Sequence, residues 1–72
     1  MTEAQHPDAE IAAVQAWFED KGFRVAVREE DGVFWADLIS LATQQVLAPR
    51  YGRGSSQIGA VKRAQERFEQ EQ

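Results

Sequence analysis

Seventy-two residues make one domain near the lower limit of chains that fold unaided, burying roughly 60% of the surface the unfolded chain exposes and leaving no room for a deep catalytic cleft. With no cysteine and one histidine, His6, a disulfide framework, a thiolate zinc site and a histidine metal cluster are excluded, and no cofactor is expected. The net charge of −4 opposes bulk attraction to nucleic acid or an anionic membrane, yet residues 38–65 hold Arg50, Arg53, Lys62 and Arg63 without a single acid.

Residues 1–7 read as a disordered leader, with acid where a signal peptide carries base, and no window approaches the ~20 apolar residues of a membrane span. A soluble, cytoplasmic protein is the expectation. Asp8 is placed to N-cap a helix over residues 9–21, in which Ile11, Val14, Trp17 and Phe18 recur at helical spacing with alanines between them. Trp17 and Phe18 lie about 100° apart on that helix, so one belongs to the core and the other is partly exposed. Gly22 ends the helix as a C-cap in the left-handed conformation.

From Phe23 to Glu30 apolar and polar residues alternate, the pattern of a half-buried strand. Asp31-Gly32 supplies a two-residue hairpin turn that needs positive φ at both positions. It fixes the register: Glu30 faces Val33, Arg28 faces Trp35, Val27 faces Ala36, Ala26 faces Asp37, Val25 faces Leu38 and Arg24 faces Ile39. The second strand, Val33 to Ser40, is apolar on both sides and so suits the centre of a sheet. Phe23, Val25, Val27, Phe34, Ala36 and Leu38 share one face; Arg24, Ala26, Arg28, Val33, Trp35, Asp37 and Ile39 share the other.

A loop over residues 41–44 leads to a third strand over 45–51, assigned to the sheet edge because Pro49 cannot donate to a ladder. The loop length predicts Leu38 opposite Leu47, Ala36 opposite Pro49, Trp35 opposite Arg50 and Phe34 opposite Tyr51. Gly52-Arg53-Gly54 is expected to break the strand, and Ser55 or Ser56 to cap a last helix reaching about residue 69, with Ile58, Val61, Ala64 and Phe68 as its apolar stripe. The expected fold is α+β: a three-stranded antiparallel meander with two helices on one face, α-β-β-β-α. The single domain spans residues 8–70, and residues 71–72 form a frayed tail.

This order of elements, with the last helix following Gly52-Arg53-Gly54-Ser55-Ser56 and carrying Ala60 and Ala64, resembles the double-stranded-RNA-binding domain. The lysines with which that family touches phosphates are absent, since the aligned positions are Gln57, Ile58 and Val61. Over residues 23–68 the acid-glycine turn, the aromatic strand Phe34-Trp35-Ala36-Asp37-Leu38 and the stretch Tyr51-Gly52-Arg53-Gly54-Ser55-Ser56 are similar to the antitoxin-like domain of HicB proteins. That resemblance lacks any helix-turn-helix or ribbon-helix-helix appendage.

Two surfaces stand out. The first is the sheet face carrying Arg24, Arg28, Trp35, Ile39 and Arg50, where an indole lies between guanidiniums. It is read three ways: as structural cover of the ring at ~0.5–1 kcal/mol per cation–π contact, with Arg24 paired to Asp37; as a protein contact; or as a stacking platform for a base. The second is Arg53, Gly54, Ser55 and Ser56, a candidate anion site or else a plain cap with its connector. It is neither a P-loop nor a dinucleotide fingerprint. Glu29, Glu30 and Asp31 crowd the hairpin tip and read as a solvated turn; no acid-base pair, nucleophile or metal set can be assembled, so no catalytic residue is assigned. The preferred expectation is a non-enzymatic interaction module meeting a protein partner or itself through the Arg/Trp face or the third strand's free edge. The alternative is a nucleic-acid-binding domain setting Arg50, Arg53, Lys62 and Arg63 against phosphates.

Overall fold

Two helices and a three-stranded antiparallel sheet follow one another in a computed structural model that describes residues 7–71. The elements are α1 (Pro7–Glu19), β1 (Phe23–Glu30), β2 (Val33–Ser40), β3 (Val46–Gly54) and α2 (Gln57–Gln70), with the strands in spatial order β1-β2-β3. The expected α-β-β-β-α arrangement is therefore present. Of the expected leader, residues 1–6 lie outside the described residues, and Pro7 opens α1 rather than preceding it. Proline fits a first helical turn, where its missing N–H is no loss. Asp8, expected just before the helix, thus lies within its range.

The helix also stops two residues earlier than predicted, its end tightening through Lys21 N to Phe18 O at 2.9 Å and Gly22 N to Glu19 O at 3.0 Å. Gly22, at φ 91°, then reverses the chain in the left-handed conformation expected of it. Its carbonyl accepts the N–H of Leu41 at 3.1 Å, tying the start of β1 to the loop after β2.

The hairpin forms as read. Asp31 (φ 52°) and Gly32 (φ 79°) both take positive φ, and the six β1–β2 pairs deduced from the turn all occur. Val25, Ala36 and Leu38 of the inner face meet Val14 and Phe18 of α1 and Ala60, Val61, Ala64 and Phe68 of α2 in one core. Phe18 is fully buried and Trp17 half-buried. Phe68 packs edge-on against Trp17, Phe18 and Phe23 at centroid distances of 5.4–5.7 Å, contacts worth ~0.5–1.5 kcal/mol each beyond their buried area. On α2, Ala60 belongs to the buried stripe and Ile58, expected there, is only half-buried.

β3 departs from its predicted register. The loop closes with Ser40 N donating to Gln45 O at 3.0 Å, and Ile39 pairs with Val46. Leu38 then pairs with Ala48 rather than Leu47, Ala36 with Gly52 rather than Pro49, Trp35 with Arg53 rather than Arg50, and Phe34 with Gly54 rather than Tyr51. Pro49, Arg50 and Tyr51 together bulge opposite Asp37, with Arg50 at φ 55°. Leu47 points to solvent, 54% exposed, while Tyr51 turns into the core.

Gly52-Arg53-Gly54, expected to break β3, is its last stretch. Both glycines lie under α2. A methyl on Gly52 would come within 2.7 Å of Ala64 N and closer still to the Ala60 carbonyl, and one on Gly54 within 2.5 Å of Ala60 N. Helix and strand therefore touch backbone to backbone, through glycines on one side and alanines on the other.

Beyond α2, Glu71, assigned to the frayed tail, donates its N–H to Arg67 O and Phe68 O and accepts the Tyr51 hydroxyl at 2.6 Å. No helix among the described residues is long and apolar enough to cross a membrane.

Candidate interaction face

The β1–β2 register places Trp35 beside Arg28 on the side of the sheet away from the core, and the indole is half-buried there without joining the core cluster. On its other side the register change substitutes Arg53 for Arg50 as the paired residue. Arg50 nevertheless reaches the ring, because the bulge returns its guanidinium to 5.1 Å from the indole centroid; that of Arg53 lies at 5.7 Å. The structure thus unites one residue from each of the two surfaces singled out in the sequence.

Asp37 organises this face. Its Oδ2 accepts from Arg28 Nε at 3.0 Å and its Oδ1 from the backbone N–H of Arg50 at 2.9 Å, so one carboxylate joins β1 to the bulge of β3. Glu30 adds a second clamp, pairing with Arg28 and, at 3.4 Å, with Arg50. The Asp37 hydrogen bond, aided by the charges of Asp37 and Glu30 and opposed by partial burial, raises the Arg28 guanidinium above its ordinary value.

The expected Arg24–Asp37 pair does not form. Arg24 and Arg28 are both diagonal neighbours of Asp37, but only Arg28 also has Glu30 within reach. Arg24 is exposed and makes no ion pair among the described residues. Ile39, assigned to the same face, is 6% exposed, shielded as a central-strand residue between Arg24 and Val46. It offers no contact surface. Arg53 is exposed and, like Arg24, has no ion pair among the described residues, whereas Lys62 pairs with Glu10 at 3.7 Å and Arg63 with Glu66 at 3.8 Å.

The proposed anion site divides. Ser56 is the N-cap of α2, its Oγ accepting from Gly59 N at 3.1 Å. The missing side chains of Gly52 and Gly54 make room for the helix. Arg53, Gly54 and Ser55 instead line an open cavity of about 330 Å³ with Gly32, Val33 and Arg63. Ser56 is not among its walls.

Three features escaped the sequence reading: the double role of Asp37, the Glu30 clamp, and the cluster of Tyr51, Arg67 and Glu71. In that cluster Arg67 lies over the Tyr51 ring at 4.5 Å and donates to the Tyr51 carbonyl at 3.3 Å. Burial, then the Glu71 hydrogen bond and charge, push the Tyr51 hydroxyl up to about 12, while the same hydrogen bond and Arg67 hold the Glu71 carboxyl below its usual range. No group of three or more His, Cys, Asp or Glu side chains gathers as a metal would require among the described residues. Compared with protein-family models, with curated proteins and with solved structures, the chain finds no match.

Proposed function

We propose that the chain is a small non-enzymatic interaction module that docks an acidic segment of a protein partner on the Trp35 face. The observation that carries this is the half-buried indole on the helix-free side of the sheet, bracketed by Arg50 and Arg53, with Arg53 making no ion pair among the described residues. An aromatic with guanidiniums beside it is the composition of interface hot spots, and a cation without a carboxylate partner favours an acidic one. Val46 and Leu47, 51% and 54% exposed on the edge strand, extend the apolar area next to this face.

The second reading is nucleic-acid binding, supplied by the resemblance to the double-stranded-RNA-binding domain. Of the four cations it would set against phosphates, Arg50, Lys62 and Arg63 make surface ion pairs with Glu30, Glu10 and Glu66, contacts too weak to bar a phosphate.

Amide and indole N–H shift mapping with a hexaglutamate peptide, alongside a short RNA duplex, tests both. Peptide shifts at the Trp35 indole and at Arg50 and Arg53, with the arginine shifts lost in Trp35→Ala and core signals unmoved, support the module. Silence of that face towards the peptide at low ionic strength overturns it. Duplex shifts that fade steeply with salt favour the second reading.

A further inference from the structure

The cavity at the end of β3 has walls from three separate parts of the fold: the hairpin tip through Gly32 and Val33, the end of β3 through Arg53, Gly54 and Ser55, and α2 through Arg63. We infer that it binds a phosphate monoester, the phosphorylated serine or threonine side chain of the acidic segment whose neighbouring residues lie over Trp35. This rests on the protein-docking reading above for the kind of partner.

The charge of the walls is one-sided. Two of the six lining residues are arginines and none is an acid. Arg53 makes no ion pair among the described residues, and Arg63 has only the solvent-exposed Glu66 at 3.8 Å, a contact of little strength. A single carboxylate would balance one guanidinium and leave the other. A phosphate monoester carries nearly two charges at neutral pH and three acceptor oxygens, enough to engage both arginines and the Ser55 hydroxyl together. The volume of about 330 Å³ is at the small end of ligand sites, suited to one such group rather than to a cofactor.

A protein-borne phosphate fits better than a polynucleotide. With a net charge of −4 the chain repels a polyanion more the longer it is, so a polynucleotide is opposed more than a short acidic segment whose one phosphate sits where the two arginines stand. Arg53 belongs to the cavity and to the Trp35 face alike, so a bound segment passes from one to the other without a break.

The test compares an acidic peptide carrying one phosphoserine with its unphosphorylated twin, with inorganic phosphate as a third probe. The phosphorylated peptide is expected to bind at least about tenfold tighter and to shift Gly54, Ser55 and Arg63 as well as the Trp35 indole, two new charge-assisted hydrogen bonds being ample for that factor. Arg63→Gln, a substitution on the exposed side of α2, removes the gain and leaves binding of the unphosphorylated peptide unchanged. Ser55→Ala weakens the phosphorylated peptide alone. Equal affinities of the two peptides with unchanged Trp35 shifts overturn the phosphate site and leave the docking face standing. Phosphate-dependent shifts at the cavity with a silent indole uphold the site and remove the docking face.

Discussion

Asp37 holds Arg50 by its backbone, its Oδ1 accepting the Arg50 N–H at 2.9 Å where three residues of β3 stand against one of β2. The carboxylate replaces a ladder bond that the bulge has removed. Asp37→Ala is expected to destabilise the fold by about 1 kcal/mol, the net worth of such a bond, and to release Arg28 and Arg50 from their positions beside Trp35. Asp37→Asn, which keeps an oxygen acceptor, recovers part of the stability. Urea denaturation followed by tryptophan emission measures both; an alanine variant as stable as the parent would show that the bulge needs no side-chain support.

The glycines divide by mechanism. Gly52→Ala and Gly54→Ala force a methyl into the α2 backbone, and each is expected to cost more than about 2 kcal/mol or to prevent folding. Gly32→Ala meets no atom within 4 Å and suffers only the strain of φ 79°, about 1 kcal/mol. Thermal unfolding should rank Gly32→Ala well above the other two.

Tyr51 is the single tyrosine, so phenolate absorbance reports it alone. Its midpoint is expected near 12 rather than 10. Because the folded state holds this proton more tightly than the unfolded chain, the associated stability is whole below pH 10 and is lost as pH rises towards about 12. Glu71 has the opposite sign. Its depressed carboxyl supports the fold above the ordinary carboxylate range, and that support fades as pH falls through its lowered folded value. Glu71→Gln should lower the Tyr51 midpoint only in part, since burial is the larger cause.

Gln15 protects the other edge of the sheet. Its side-chain amide both donates to the Val25 carbonyl and, at 3.0 Å, accepts the Val25 N–H, standing where a neighbouring strand would. Gln15→Ala leaves both groups without a partner, with an expected loss of about 1–3 kcal/mol and increased self-association through β1. Light scattering across a concentration series checks the second effect independently of the first.

The first hairpin was legible because Asp31-Gly32 and the alternation on either side specify the same register by independent means. The path of β3 was not. Its bulge depends on an acceptor from a different strand, and nothing between Gln45 and Tyr51 announces that Asp37 will supply one. Gly52 and Gly54 misled for another reason: a glycine letter does not say whether freedom of φ or absence of a side chain is being used. The discriminating sign was their spacing of two, matched by Ala60 and Ala64 at a spacing of four, as two small-residue rows that face each other require. Of the candidate face, Arg28 and Trp35 were correctly placed by the hairpin, whereas the approach of Arg53 to Trp35 could only follow from the shifted third strand.

Between its two glycines Arg53 stands alone on the solvent side of β3 while both neighbours are clamped beneath a helix. The backbone there is anchored by residues that have no side chains to vary, and the one side chain present reaches the Trp35 ring on the face away from the core. Recognition at this position can therefore be rewritten, by selection or by design, without disturbing the scaffold that displays it.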